Sequence, residues 1–142
     1  MKKTKRILPI LVAIALVGFL IPTSSADFLS TENFTDSNDI TWTFDAINNE
    51  ITLTDCSQKT GDIVAPAFFQ IDDETILYIK HIGGVFTGSD ITSITFDELS
   101  CIESFAYGAF SGCNNLTYII TPDTVLYIGE SAFSDCSALE TV

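Results

Sequence analysis

The chain has 142 residues, enough for one domain, and carries 19 acidic side chains against six lysines and arginines. All of the acidic residues follow Ala26, but only Lys59 and Lys80 of the basic ones do, so the part beyond Ala26 has a net charge of 2 − 19 = −17. Such a surface repels phosphate backbones and anionic lipids, which argues against nucleic acid as a partner and against membrane contact.

The segment that ends at Ala26, residues 1–26, has the three parts of a secretory signal peptide. A basic opening at residues 2–6 precedes an apolar run at Ile7–Ile21, and the small residues at Ser24–Ala26 suit a signal peptidase. A membrane anchor is the alternative, but as a helix the apolar run would reach about 22 Å, which is less than a hydrocarbon core of about 30 Å. We therefore predict cleavage after Ala26 and a secreted or cell-surface protein.

The segment after the signal peptide changes character at Ile40. Residues 27–39 are polar and acidic without a sustained period, and we predict a flexible leader there. From Ile40 the stretch ITWTF places alternate apolar side chains on one face, and ITL at residues 51–53 does the same. The intervening DAINNE holds two asparagines that suit a turn. The sequence thus predicts a β-hairpin cap over residues 40–60.

Beyond the hairpin the sequence repeats itself at a fixed offset. AFSGCNNL at Ala109–Leu116 returns as AFSDCSAL at Ala132–Leu139, and a less regular copy comes earlier, with VF at Val85–Phe86. A single copy cannot shield its large apolar side chains from water. Copies stacked about 4.8 Å apart cover one another, at about 1.5 to 3 kcal/mol per large side chain. Phe110 and Phe133 are therefore predicted to be equivalent rungs of one core.

The pattern A-F-x-x-C-x-x-L-x-x-I-x-x-P-x-x-V-x-x-I-G-x-x-A-F, read from Ala109 to Phe133, resembles the BspA-like leucine-rich repeats of microbial surface proteins. GDIVAP at Gly61–Pro66 resembles the first coil of such proteins, and the sequence departs from the pattern at Thr121, where an aliphatic residue is usual. The resemblance covers residues 40–142. It implies a mostly β fold, a short solenoid of about 23-residue repeats over residues 61–142 after the hairpin cap.

The same resemblance implies a function. Proteins of this kind are non-catalytic modules displayed outside the cell, and they serve in adhesion or in other contacts with an extracellular protein, a host ligand or a matrix ligand. The alternative is a calcium-stabilised or carbohydrate-binding all-β extracellular domain. Since Val142 is the counterpart of Ile119 and no polar cap follows it, the repeat region is expected to be truncated at its C-terminal end.

The four cysteines leave their pairing open. Cys113 and Cys136 share one repeat position, which favours small buried side chains stacked on one another over a disulfide. Together with Cys56 and Cys101 they permit three pairings in an exported chain. A zinc site is not expected, because the sequence has no C-x-x-C pair and His81 is its only histidine.

No residue is assigned to catalysis, to a cofactor or to a metal ion. His81 neighbours the inward Ile79 and Ile82, which favours a structural histidine over a general base. The acidic clusters at residues 72–74 and 97–98 lack the alternating oxygen ligands and the glycine of a calcium loop, so solvated loops are expected. The protein is accordingly predicted not to be an enzyme and to need no cofactor.

Overall fold

The structure, a computed structural model, describes residues 30–47 and 50–141, and the signal peptide predicted for residues 1–26 lies outside them. All regular structure in this part of the chain is β, and none of its segments is a helix that could span a membrane. Its strands in chain order are β1 (Ser30–Thr35), β2 (Thr41–Ile47), β3 (Glu50–Cys56), β4 (Thr60–Ala65), β5 (Phe68–Gln70), β6 (Ile76–Ile82), β7 (Asp90–Phe96), β8 (Ser104–Phe105), β9 (Tyr118–Ile119) and β10 (Tyr127–Ile128).

Seven of the strands form a large sheet in the order β1-β2-β3-β6-β8-β10, and β5 pairs with the beginning of β6. β2 is antiparallel to β1 on one side and to β3 on the other, and its pairing with β3 confirms the predicted hairpin. From β3 to β10 the neighbours are parallel, because each coil of the solenoid adds a strand in the same direction. The hairpin therefore covers the first coil of the solenoid and belongs to the same sheet.

The remaining three strands form a small parallel sheet in the order β4-β7-β9. Each coil contributes one strand to each sheet, so the apolar side chains of both sheets meet between them. In the later coils Ser104 pairs with Tyr127, and Tyr118 with Thr141, and the members of each pair are separated by one repeat of the sequence. This spacing confirms the repeat that the sequence shows.

Aromatic rings run through the core as one column. The rings of Phe86 and Phe110 are stacked with centroids 5.6 Å apart, and those of Phe110 and Phe133 lie 5.1 Å apart. The ring of Phe105 lies nearly perpendicular to that of Phe110, with the centroids 5.3 Å apart. Each copy of the AF motif thus supplies one rung, as predicted, and the degenerate copy at Val85–Phe86 supplies the first.

The prediction of a flexible leader over residues 27–39 is wrong for Ser30–Thr35, which form β1. Side chains of β1 bond across to β2, as in the 2.7 Å hydrogen bond that the Thr31 hydroxyl donates to Asp45. On the other side of the strand, Phe34 stacks on Phe69 with centroids 4.4 Å apart. The strand is held by polar cross-strand bonds and one aromatic anchor, so it shows no hydrophobic period in the sequence.

Asp36 fixes the turn between β1 and β2. Its Oδ1 accepts hydrogen bonds from the backbone N–H of Asn38 and of Ile40, at 2.8 and 3.1 Å. Its Oδ2 accepts a hydrogen bond from the indole N–H of Trp42 at 2.9 Å, and Trp42 is fully buried. The carboxylate thus supplies the partner that the buried indole nitrogen needs.

Candidate interaction face

The small sheet turns one side to the core and the other to solvent, because successive side chains of a strand alternate between its faces. One register row runs from Asp62 through Ser93 and Tyr118 to Thr141, and of these residues only Ser93 is buried. The neighbouring row begins with Val64 paired to Thr95. We call this surface the small-sheet face, and it comprises Asp62, Val64, Thr92, Thr95, Thr117, Tyr118 and Ile120.

Three large apolar side chains of this face are open to solvent. Val64 is 60% exposed, Ile120 is 63% exposed and Tyr118 is 42% exposed. Their sequence neighbours Ile63 and Ile119 are buried in the core, so the exposure follows from strand alternation. Apolar side chains gathered on one face of a sheet and surrounded by polar residues are typical of a contact surface.

The Asp62 carboxylate is held in place by the adjacent strand. Its Oδ1 accepts two hydrogen bonds of 2.7 Å, from the hydroxyls of Thr92 and Ser93 on the adjacent strand. The hydrogen bond from Thr92 is the largest cause that lowers the pKa of the Asp62 carboxyl below its usual range, and the bond from Ser93 lowers the pKa further. Its Oδ2 accepts no hydrogen bond from the described residues. The side chain is therefore an oriented carboxylate with a free oxygen atom.

The charge of the face is not compensated locally. Asp90 and Glu140 are exposed next to it. Among residues 30–47 and 50–141, one side chain donates a hydrogen bond to the Asp90 carboxylate, namely the Asn115 amide at 3.2 Å. The ammonium groups of the two lysines beyond Ala26 bind other groups, although the Lys59 carbonyl accepts the backbone N–H of Asp90 at 2.8 Å, at the margin of the face. Lys59 binds Asp55 and the carbonyl of Val85, and Lys80 binds Glu103. The small-sheet face consequently presents carboxylates without a cation of its own.

His81 joins two coils on the large sheet. Its Nδ1 lies 2.8 Å from the hydroxyl oxygen of Ser104, and the ring is half-buried. In the sheet register His81 lies between Thr52 and Ser104, and the neighbouring carboxylate of Glu103 is bound to Lys80. No carboxylate of residues 30–47 or 50–141 is hydrogen-bonded to His81, whereas a catalytic triad has such a carboxylate as its third member. His81 thus forms a side-chain contact between strands of two coils.

The thiols at the repeat position form a ladder of hydrogen bonds to the preceding coil. Cys113 donates from Sγ to the Phe86 carbonyl at 2.9 Å, and Cys136 to the Phe110 carbonyl at 3.0 Å. All four cysteines are free thiols in the structure. Ser89 continues the column in the first copy, where its Oγ lies 3.5 Å from Cys113 Sγ. This member was not predicted from the sequence, although VFTGS aligns with AFSGC without a gap.

The acidic clusters shape turns. Asp72 accepts hydrogen bonds from the backbone N–H of Glu74 and of Thr75, at 2.9 and 2.7 Å, and Asp97 accepts that of Leu99 at 2.8 Å. These bonds are those of aspartates that begin tight turns. Within the described ranges, no three His, Cys, Asp or Glu residues are grouped as they would be to hold a metal ion.

The part of the chain that forms these coils matches a protein-family model. The model described as BspA type Leucine rich repeat region (6 copies) matches residues 82–142, which include both clear copies and most of the degenerate one. The chain therefore carries BspA-type leucine-rich repeats, and the resemblance seen in the sequence is confirmed. No curated protein matches the chain at a significant level.

Two solved structures are similar to this chain. A leucine rich cell surface protein from Faecalibacterium prausnitzii A2-165 has a TM-score of 0.64 and 25% sequence identity, and the match covers 80% of this chain and 30% of that one. The pneumococcal vaccine antigen PcpA has a TM-score of 0.47 and 17% identity, and the match covers 83% of this chain and 38% of that one. This chain thus spans about a third of the length of either protein. The first likeness confirms the predicted leucine-rich repeat fold.

Proposed function

We propose that this protein is a non-catalytic interaction module that works outside the cell, either secreted or on the cell surface, and that adheres to another protein through its small-sheet face. The BspA-type repeats support the interaction role. The likeness to a solved protein described as a cell surface protein supports the location. The predicted signal peptide supplies the route of export, with the mature chain beginning at Asp27.

The exposure of Val64, Tyr118 and Ile120 on one face is the observation that carries the proposal. The backbone beneath Val64 and Tyr118 is held by parallel pairing of β4 and β9 with β7, which lies between them. A rigid surface loses little conformational freedom when a partner binds, so more of the contact energy appears as affinity. The face has both properties that a protein contact requires, namely apolar area and polar groups at its margin.

The test compares two matched double variants in a binding assay. A panel of purified extracellular-matrix proteins is immobilised, and the binding of the mature protein is measured by biolayer interferometry. Val64→Asp with Ile120→Asp places charges on the small-sheet face. Ile47→Asp with Ile76→Asp does the same at exposed positions of the large sheet, which are 43% and 38% exposed. Circular dichroism melting is used to check that both variants are folded.

We expect the small-sheet variant to lose binding and the large-sheet variant to retain it. The reverse pattern, or equal binding by both variants and the original protein, would contradict the proposed face. Export is tested separately, by sequencing the N-terminus of the secreted protein. We expect it to begin at Asp27, and a chain that still contained Ile7–Ile21 would instead be membrane-tethered.

A further inference from the structure

We infer that the small-sheet face takes a partner segment that presents arginine side chains. This inference rests on the proposed function of the face and names the chemistry of its partner. Three features of the face lead to it: its uncompensated negative charge, its oriented carboxylate at Asp62, and the exposed aromatic ring of Tyr118 in the same register row.

The sign of the partner's charge follows from the distribution of lysines. Asp62, Asp90 and Glu140 lie on or beside the face and are exposed. The Lys59 ammonium group is bound to Asp55, although its backbone lies beside Asp90, and the Lys80 ammonium group is bound to Glu103. A cationic partner would meet attraction across the whole approach to the face, whereas an anionic one would be repelled. The face therefore selects a basic partner.

The relative positions of Asp62 and Tyr118 favour arginine over lysine. Ser93 lies between them in the row, so their backbones are two strand spacings, or about 10 Å, apart. A guanidinium group is planar, and it can donate N–H groups to the free Oδ2 of Asp62 while it stacks on the Tyr118 ring. An ammonium group is compact and makes one of these contacts at a time. The exposed methyl groups of Val64 lie next to Asp62 for the aliphatic part of the side chain.

The test uses two fluorescein-labelled peptides of alternating sequence, one of arginine and serine and one of lysine and serine, with fluorescence anisotropy as the readout. Asp62→Asn removes the charge but keeps an oxygen that Thr92 and Ser93 can bond. Asp73→Asn is the control, because it removes the same charge from the exposed turn between β5 and β6. Tyr118→Ala removes the ring, and Tyr118→Phe keeps it.

We expect Asp62→Asn to weaken binding of the arginine peptide about fivefold, as the loss of one exposed ion pair would. Asp73→Asn should change it less than about twofold, because that charge lies away from the face. Tyr118→Ala should weaken it about threefold, while Tyr118→Phe leaves it unchanged. The lysine peptide should bind more weakly and respond less to Tyr118→Ala.

Equal losses with Asp62→Asn and Asp73→Asn would overturn the inference, since they would mean attraction to the net charge alone. Absence of binding by the arginine peptide would overturn it too. The matrix panel separates this failure from failure of the proposed function. Suppose that Val64→Asp with Ile120→Asp abolishes binding to a matrix protein, but neither Asp62→Asn nor Tyr118→Ala weakens it. This result would refute the arginine preference and leave the face as the contact surface.

Discussion

The rings of Phe110 and Phe133 stack with their planes 3° from parallel and their centroids 5.1 Å apart, although the residues belong to different coils. The relationship repeats one coil earlier, where Phe86 and Phe110 lie 7° from parallel. Phe110 is enclosed on both sides and has no exposed surface, whereas Phe133 is partly exposed. The column therefore ties successive coils into one core, and its members differ in how much they bury.

Phe110→Ala should lower the free energy of unfolding by about 3 to 5 kcal/mol, because it removes a fully enclosed ring and leaves a cavity between two coils. Phe133→Ala should cost less, since its ring is covered less completely. Urea denaturation followed by circular dichroism measures both. Equal losses near zero at the two positions would show that the rungs are not equivalent core residues.

Gly129→Ala should destabilise the solenoid, because the coils approach most closely there. An added Cβ would lie 2.5 Å from the carbonyl carbon of Ala106 and from the backbone nitrogen of Tyr107. Backbone atoms cannot give way without separating the coils, so we expect a loss of about 1 to 3 kcal/mol. Gly84→Ala is the matched control, since its nearest neighbour is the Thr87 hydroxyl at 3.4 Å. Equal thermal midpoints for the two variants would contradict this account of the coil contact.

Asp36→Ala should destabilise the hairpin, because it leaves the indole N–H of Trp42 buried without an acceptor. An unsatisfied buried donor costs about 1 to 3 kcal/mol. Asp36→Asn keeps an oxygen at the same place and should lose less. Trp42 is the only tryptophan, so its fluorescence reports the melting of the hairpin directly. A melting curve of Asp36→Ala that coincides with that of the original protein would argue against this role.

The ion pair between Lys80 and Glu103 should make the stability of the protein depend on pH in the acid range. The hydrogen bond from Lys80 is the main cause that lowers the pKa of Glu103, so folding favours the ionised carboxylate. The stability that this group contributes is present above its ordinary pKa of about 4.3 and is lost as the pH falls through the lowered value. Lys80→Met should raise the pKa of Glu103 and leave that of Asp62 low, because hydroxyl groups hold the latter. Carbon-detected NMR titration of the carboxyl groups measures both; an unchanged Glu103 pKa in Lys80→Met would contradict the assigned cause.

The sequence predicted the elements whose side chains face the core. Trp42 and Phe44 are buried on β2 as their alternation indicates, and the AF motifs supply the aromatic column. These predictions succeed because burial imposes a period on apolar residues, which can be read without a structure. The repeat offset succeeds for the same reason, since each copy must occupy the same place in the next coil.

Features that depend on polar contacts could not be predicted from the sequence. β1 is held by bonds such as that of Thr31 to Asp45, which leave no apolar period. The first coil is longer than the later repeats, since Ile63 pairs with Ile94, which is 94 − 63 = 31 residues further along the chain. It is also irregular, because the pairing of β4 with β7 shifts by one residue after Gly61. The small-sheet face was missed because the repeat fixes the inward residues and leaves outward ones such as Tyr118 free to vary.

The four tyrosines provide the most direct test of the small-sheet face as the contact surface. All are exposed but lie on different surfaces: Tyr118 is on the small-sheet face, Tyr78 and Tyr127 are on the large sheet, and Tyr107 is on a turn. Incorporation of 3-fluorotyrosine gives each a fluorine NMR signal, which is recorded while a binding matrix protein is added. The account predicts that the Tyr118 signal shifts or broadens first and most. Changes at Tyr78 and Tyr127 with an unaltered Tyr118 signal would contradict it.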